Sequence, residues 1–160
     1  MSNDPLLRGA RGERHLLLGN EAIVRGALEA GVHMVSCYPG TPSSEVADTF
    51  LRLGGEGRYR LEYSINEKVA MEVAAGGALG GAMSLVAMKH VGLNVAADPL
   101  FTSVYIGLPG GLVVLTADAP GCHSSQNEQD NRHYAKLGKF PMLEPCDSQE
   151  CKDFMIEAVD

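Results

Sequence analysis

Residues 64–81 read SINEKVAMEVAAGGALGG. One carboxylate, Glu67, stands ahead of a segment built almost wholly of Ala, Val, Met and Gly. Asn66 is placed to cap a helix, because a short amide side chain there can accept from a first-turn N–H. A surface helix would carry Lys and Glu along one face. This one has almost no polar face after Glu72, so it reads as a packed central helix. Gly76, Gly77, Gly80 and Gly81 lie within it or at its end. Each interior Gly costs about 1 kcal/mol relative to Ala, so close approach of another backbone is expected to offset it. Glu67 has two readings on pattern alone. It can be a helix-start acid matched to the macrodipole, worth about 0.3–1 kcal/mol, or a partly buried acid that exchanges a proton with a ligand.

Working outward, short apolar runs alternate with helix-period segments. HMVSCY (33–38), YRLEYS (59–64), MSLVAMK (83–89) and GGLVVLTAD (110–118) read as strands. Helices are expected from Asn20 as a cap to Gly31, from Ser43 or Ser44 to the GGEG break, and from Asp98-Pro99 as N-cap and first helical residue. Two more are expected at RHYAKLG (132–138) and SQECKDFMIEAVD (148–160). Residues 1–14 show no periodicity and read as a flexible tail, leaving 15–160 as one α/β domain. The strands are continuous apolar runs rather than alternating ones. With helices between them, they imply a central parallel sheet covered by helices on both faces.

Such sheets bind ligands beyond the carboxyl ends of their strands. Four chemically rich segments follow the four strands: YPGTPSS (38–44), SINEK (64–68), KHVGLN (89–94) and the polar stretch 119–131, APGCHSSQNEQDN. In the first, prolines stiffen the chain, Gly40 permits close backbone approach, and Thr41, Ser43 and Ser44 are small donors. An ordinary N-cap turn explains it equally well. Lys89 and His90 form a pair at a strand end, where an isolated His is more often structural. The fourth segment is long for a connection of this kind, and long loops are often functional.

Composition limits the alternatives. The 160 residues suit one domain with a real core, burying roughly 70% of the unfolded surface. A net charge of −7 with no basic cluster argues against nucleic acid. No apolar run near the N-terminus is long enough for a signal peptide or membrane span, so a cytoplasmic protein is expected. Cys37, Cys122, Cys146 and Cys151 form no C-x-x-C pair and read as reduced thiols rather than metal ligands. No P-loop, no G-x-G-x-x-G after a strand and no nucleophile elbow is present.

Taken together, YPGTPSSEV, NEKVAMEVAAGGALGGA, KHVGLNVAADPL and HSSQNEQDNR resemble the large subunit of the indolepyruvate-type 2-oxoacid:ferredoxin oxidoreductases. The likeness spans roughly residues 15–150. KHVGLN and HSSQNEQDNR are specific to that subfamily, whereas YP-x-TP-S-S is shared more broadly. The resemblance implies a pyrimidine-binding α/β domain for thiamine diphosphate. It implies that Glu67 hydrogen-bonds N1′ of the aminopyrimidine, favouring the imino tautomer that takes the thiazolium C2 proton. Tyr38, Pro39, Gly40 and Thr41 are then expected along the cofactor, with Thr41 near the substrate. Lys89, His90, Asn94, His123 and Arg132 are expected close to the substrate, Arg132 being the better carboxylate partner through its bidentate fork. The implied reaction decarboxylates an aryl 2-oxoacid, passes electrons through [4Fe–4S] clusters to ferredoxin and delivers the acyl group to coenzyme A.

The likeness has gaps. The family holds diphosphate and Mg²⁺ in a separate domain with a Gly-Asp-Gly segment, which this chain lacks, as it lacks the cysteine-rich cluster-binding tail. A fragment, or a subunit supplying half a site, is therefore expected. Its partners would be a diphosphate-binding domain or subunit and a second, beta subunit, within a homo- or hetero-oligomer. Cys122 stands where an apolar residue such as Met is expected. Two other readings stay open: a small subunit of a thiamine-dependent decarboxylase like sulfopyruvate decarboxylase, and a non-catalytic interaction module.

Overall fold

The computed structural model describes residues 4–9, 12–54 and 57–160. Four strands, β1 (Met34–Cys37), β2 (Arg60–Tyr63), β3 (Ser84–Lys89) and β4 (Leu112–Ala117), form one all-parallel sheet in the order β2-β1-β3-β4. Met34 aligns with both Arg60 and Ser84, and Ser84 with Leu112. The helices are α1 (Gly19–Glu29), α2 (Ser44–Leu53), α3 (Glu67–Leu79), α4 (Gly92–Val95), α5 (Ala97–Ile106), α6 (Arg132–Gly138) and α7 (Ser148–Glu157). The expected fold class is the one adopted.

Strand alternation divides the core into two layers. Val35, Cys37, Leu85 and Ala87 face α1, α2 and α7, packing with Val24, Ala27, Val46, Phe50 and Met155. Val86 and Met88 face the other way, onto Ala70, Met71 and Ala74 of α3 and Leu93, Ala96 and Leu100 beyond it. Both faces of β1 and β3 are therefore covered, which is why their sequences are apolar without alternation. β2 and β4 are the two edges. β4 is half-buried along its whole length and pairs with β3 alone among the described residues.

α3 starts where its sequence indicates. Asn66 Oδ1 accepts from Val69 N at 2.9 Å. Its glycines do different jobs. A Cβ on Gly77 would meet Ser84 Oγ at 2.8 Å and Met34 Cγ at 3.3 Å, so Gly77 is the point of close approach to the sheet. Gly76 faces open space. Gly80 is the C-cap and Gly81 takes a positive φ of 87°, so these two end the helix rather than pack it.

Three expectations are corrected. Residues 1–14 are not simply a tail: Pro5–Leu7 form a 3-10 turn, Leu6 is 3% exposed, and Arg25 donates to the carbonyls of Leu6 and Arg8. The apolar pair Leu6-Leu7 supplies the reason, since both join the α1 layer. Residues 1–3 and 10–11 lie outside the described set. Asn20 is not a cap. α1 begins one residue earlier, and the Asn20 amide donates to Pro42 O (2.8 Å) and Glu45 Oε2 (3.0 Å), tying α1 to the segment after β1. Asp98-Pro99 does not open α5, which starts at Ala97 directly after the single turn of α4. Asp98 instead accepts from Lys68 on α3 at 2.9 Å.

Candidate active site

Every strand ends at the same edge of a parallel sheet, so the four segments singled out in the sequence meet there. From β1 the chain continues through Tyr38, Pro39, Gly40 and Thr41 into α2. Tyr38, Pro39 and Thr41 are exposed and Gly40 is half-buried. The Thr41-Pro42 peptide bond is cis. Ser43 does not cap α2; its hydroxyl donates to Gly40 O at 2.8 Å and closes the turn on itself. β2 leads through Ser64 to Glu67. Ser64 lies beneath, its hydroxyl 3.2 Å from that of Ser36 on β1.

Glu67 is half-buried at the first position of α3, and its carboxylate has no hydrogen-bond partner among the described residues. The side chain is seated on backbone: a Cβ on Gly92 would stand 2.6 Å from Glu67 Cγ and 2.7 Å from Oε1. KHVGLN therefore requires glycine at its fourth position, and α4 forms the floor under the acid. This leaves an acceptor at the sheet edge, fixed by packing and with its hydrogen-bonding capacity unspent.

β3 ends in Lys89 and His90. Lys89 packs its stem on Gly40, where a Cβ would come within 2.7 Å of Cδ. Its ammonium donates to Gln126 Oε1 (2.9 Å) and Ser125 Oγ (3.3 Å). His90 is fully buried. Its Nε2 lies 2.8 Å from Asn127 O, a carbonyl that can only accept, so Nε2 carries the proton. Nδ1 has no partner among the described residues. With its ring enclosed and committed to the loop, His90 is a structural post.

The polar stretch after β4 wraps back over β3 as a strap of amides. Gln129 Nε2 donates to His90 O (2.8 Å), and Asn131 Nδ2 to the same carbonyl (3.1 Å) and to Thr116 Oγ1 (2.6 Å). Asn94 Nδ2 donates to Gln129 Oε1 at 2.7 Å, and Tyr134 Oη donates to Asn94 Oδ1 at 2.5 Å. Asn94 is thus spent on the strap. Residues 119–131 form neither helix nor strand, and side-chain amides, which both donate and accept, satisfy the backbone that a ladder would otherwise pair.

The two other candidates, His123 and Arg132, make no hydrogen bond to Glu67 among the described residues. His123 is exposed and without a hydrogen bond among the described residues. Arg132 starts α6, and its fork is occupied: Nε and Nη2 reach Asp130 Oδ1 and Oδ2 at 2.9 and 2.8 Å, with Glu144 at 3.5 Å. Hydrogen bonds from Arg132 hold the Asp130 carboxyl down at about 2, and Asp130 in turn raises the guanidinium. Gln126, Gln129 and Asn131, which make the contacts, were not singled out from sequence. The available signal was the density of amides in a loop that follows a strand.

Elsewhere on this edge, burial and then nearby Asp48 push the Cys37 thiol up to about 12. Tyr63 is also raised, by burial and by its 2.9 Å hydrogen bond to Asp48. Neither is a nucleophile at neutral pH.

Sheet, helices and edge together define a doubly wound α/β domain with an acid presented at a helix start. The family described as pyruvate flavodoxin/ferredoxin oxidoreductase, thiamine diphosphate-binding, matches residues 25–160. The chain belongs to that family. It is 56% identical over 158 residues to an indolepyruvate oxidoreductase subunit IorA of Archaeoglobus fulgidus, covering 96% of this chain and 25% of the relative. It is 51% identical to the subunit of the same name from Methanothermobacter thermautotrophicus, covering 99% and 26%. The chain thus spans about a quarter of the length of these relatives. The fold also matches a 2-oxoglutarate:ferredoxin oxidoreductase from Magnetococcus marinus, with a TM-score of 0.74, 19% identity, and 89% of this chain and 26% of that chain covered.

Proposed function

We propose that this chain is the pyrimidine-binding part of an indolepyruvate-type 2-oxoacid:ferredoxin oxidoreductase and that Glu67 is its catalytic acid. The observation that carries the proposal is the Glu67 carboxylate: at the ligand-binding edge, at a helix start, seated on Gly92 and without a protein partner. A carboxyl group and an aminopyrimidine ring nitrogen can share one proton between them, so the residues present fit thiamine diphosphate. When bound, the cofactor supplies the electron sink for decarboxylation. Glu67 would hold or release the proton at the ring nitrogen, and the Gly92 floor would keep its carboxyl group in place. Tyr38, Pro39, Gly40 and Thr41 line the approach from β1, with Thr41 toward the substrate.

The remaining parts are assigned outside this chain. A separate domain binds Mg²⁺ and the diphosphate, and [4Fe–4S] clusters carry electrons to ferredoxin. A second subunit completes the oligomer, coenzyme A accepts the acyl group, and the enzyme is cytoplasmic. The names of the relatives support an aryl 2-oxoacid as substrate. The test is Glu67→Gln in the full-length enzyme, read as C2 proton exchange of bound thiamine diphosphate by NMR. At least tenfold slower exchange is expected, about 1.4 kcal/mol. Exchange at the wild-type rate would overturn the assignment.

A further inference from the structure

Two cations near the sheet edge are already committed to carboxylates. Lys68 reaches Asp98 at 2.9 Å and Glu72 at 3.9 Å, and Arg132 is held by Asp130 and Glu144. Lys89 differs from both. It is half-buried, and its ammonium is held by uncharged oxygens, Gln126 Oε1 and Ser125 Oγ. No carboxylate among the described residues pairs with it. A cation partly withdrawn from water and balanced only by dipoles is left under-compensated. A bond from an ammonium to an ionised oxygen is roughly twice as strong as one to a neutral oxygen. An incoming anion therefore competes well for both positions.

The surroundings favour such an exchange. The Lys89 stem is fixed on Gly40, in the segment that follows β1, so its head is aimed rather than free to swing. Gln126 can leave without undoing the strap. Ser125 Oγ also lies 3.2 Å from His90 Nε2, but the shorter bond to Asn127 O and the bonds from Gln129 and Asn131 still hold His90 when Ser125 turns away. Two acceptors in one ammonium shell also match the two oxygens of one carboxylate. Arg132 offers the better fork in isolation, but its Nε–Nη2 edge is taken by Asp130, whose carboxylate already balances its charge.

We propose that Lys89 binds the carboxylate of the 2-oxoacid, and that Gln126 and Ser125 occupy its ammonium until the acid arrives. This rests on the reading of the edge as a thiamine-dependent 2-oxoacid site. It goes beyond that reading by naming which cation takes the substrate and what it displaces.

The test uses the full-length enzyme with its partner subunit and two inhibitors, indole-3-lactate and its methyl ester, which differ in the charge of one group. The wild type is expected to bind the acid at least about tenfold more tightly than the ester. Lys89→Met abolishes that preference, Lys89→Arg keeps most of it, and Arg132→Met leaves it intact. Gln126→Ala, a change at an exposed position, tightens the acid severalfold and leaves the ester unchanged. The KM for coenzyme A stays at the wild-type value in Lys89→Met. A preference that survives Lys89→Met, or is lost in Arg132→Met instead, would overturn the assignment, as would a KM effect on coenzyme A alone. C2 proton exchange in Lys89→Met separates the two readings: it stays normal if only the carboxylate site is lost. Failure of the Glu67 assignment would be seen in Glu67→Gln and would leave the acid–ester comparison readable.

Discussion

Glu67 and Gly92 lie on different elements, yet the carboxylate-bearing side chain rests directly on the glycine backbone, with room for no Cβ between them. α4 is a single turn, and its first residue is this glycine. The acid is thereby positioned by a neighbour that offers it no hydrogen bond.

Gly92→Ala tests this positioning. A methyl there cannot share space with Glu67 Cγ and Oε1, but a flexible side chain can move. The expected outcome is a fold that survives with a melting temperature close to wild type. Catalysis falls by about ten- to a hundredfold, as misplacement on the scale of an ångström costs. Wild-type turnover in Gly92→Ala would show that the seat is irrelevant.

The two interior glycines of α3 should respond with opposite signs. Gly76 faces open space, so Gly76→Ala gains helix propensity, about 0.5–1 kcal/mol. Gly77→Ala drives a methyl into Ser84 and Met34 and costs about 1–3 kcal/mol. Thermal unfolding of the two variants side by side reads the difference.

Removing the α3 cap should weaken the helix start at the acid itself. Asn66→Ala deletes the 2.9 Å bond to Val69 N and costs about 1 kcal/mol. Amide hydrogen exchange in the first turn of α3 should accelerate, with the last turn unaffected. Uniform acceleration along the helix would contradict a local cap.

Asp130 gives a pH prediction. Its folded carboxyl is held at about 2 by Arg132, below the ordinary value of 3.8. A lowered carboxyl contributes stability above its unfolded value, and that contribution is lost as pH falls through the folded one. The α6 start should therefore hold down to about pH 4 and loosen from there toward about pH 2. Arg132→Gln returns the Asp130 midpoint to the usual carboxylate range in an NMR titration. An unchanged midpoint in Arg132→Gln would mean that another group holds the proton off.

What could be read from the sequence was what is decided locally or by burial. Asn66 caps α3 because an extended residue with a short acceptor needs only its own first turn. The Leu85–Met88 run identified a strand covered on both faces. What escaped was decided across elements. Asn20 looks like a cap until the Pro42 carbonyl comes within reach. Leu6 looks like tail until α1 supplies a surface to bury it. At the edge, Arg132 looked available although its partner stands two residues away, whereas nothing set Gln129 and Asn131 apart within a long polar loop. Their roles depend on the His90 carbonyl, which only the fold brings to them.

The two flanks of the sheet differ in how they meet other chains. β2 carries Arg60 and Glu62, charges that discourage a stray strand. β4 reads LVVLTA, without a charge or a proline, and its outer rim of N–H and C=O groups is unpaired among the described residues. For expression of this chain alone, that rim is a template for β-aggregation. A lysine at an outward-facing β4 position is a rational first step toward keeping the chain in solution.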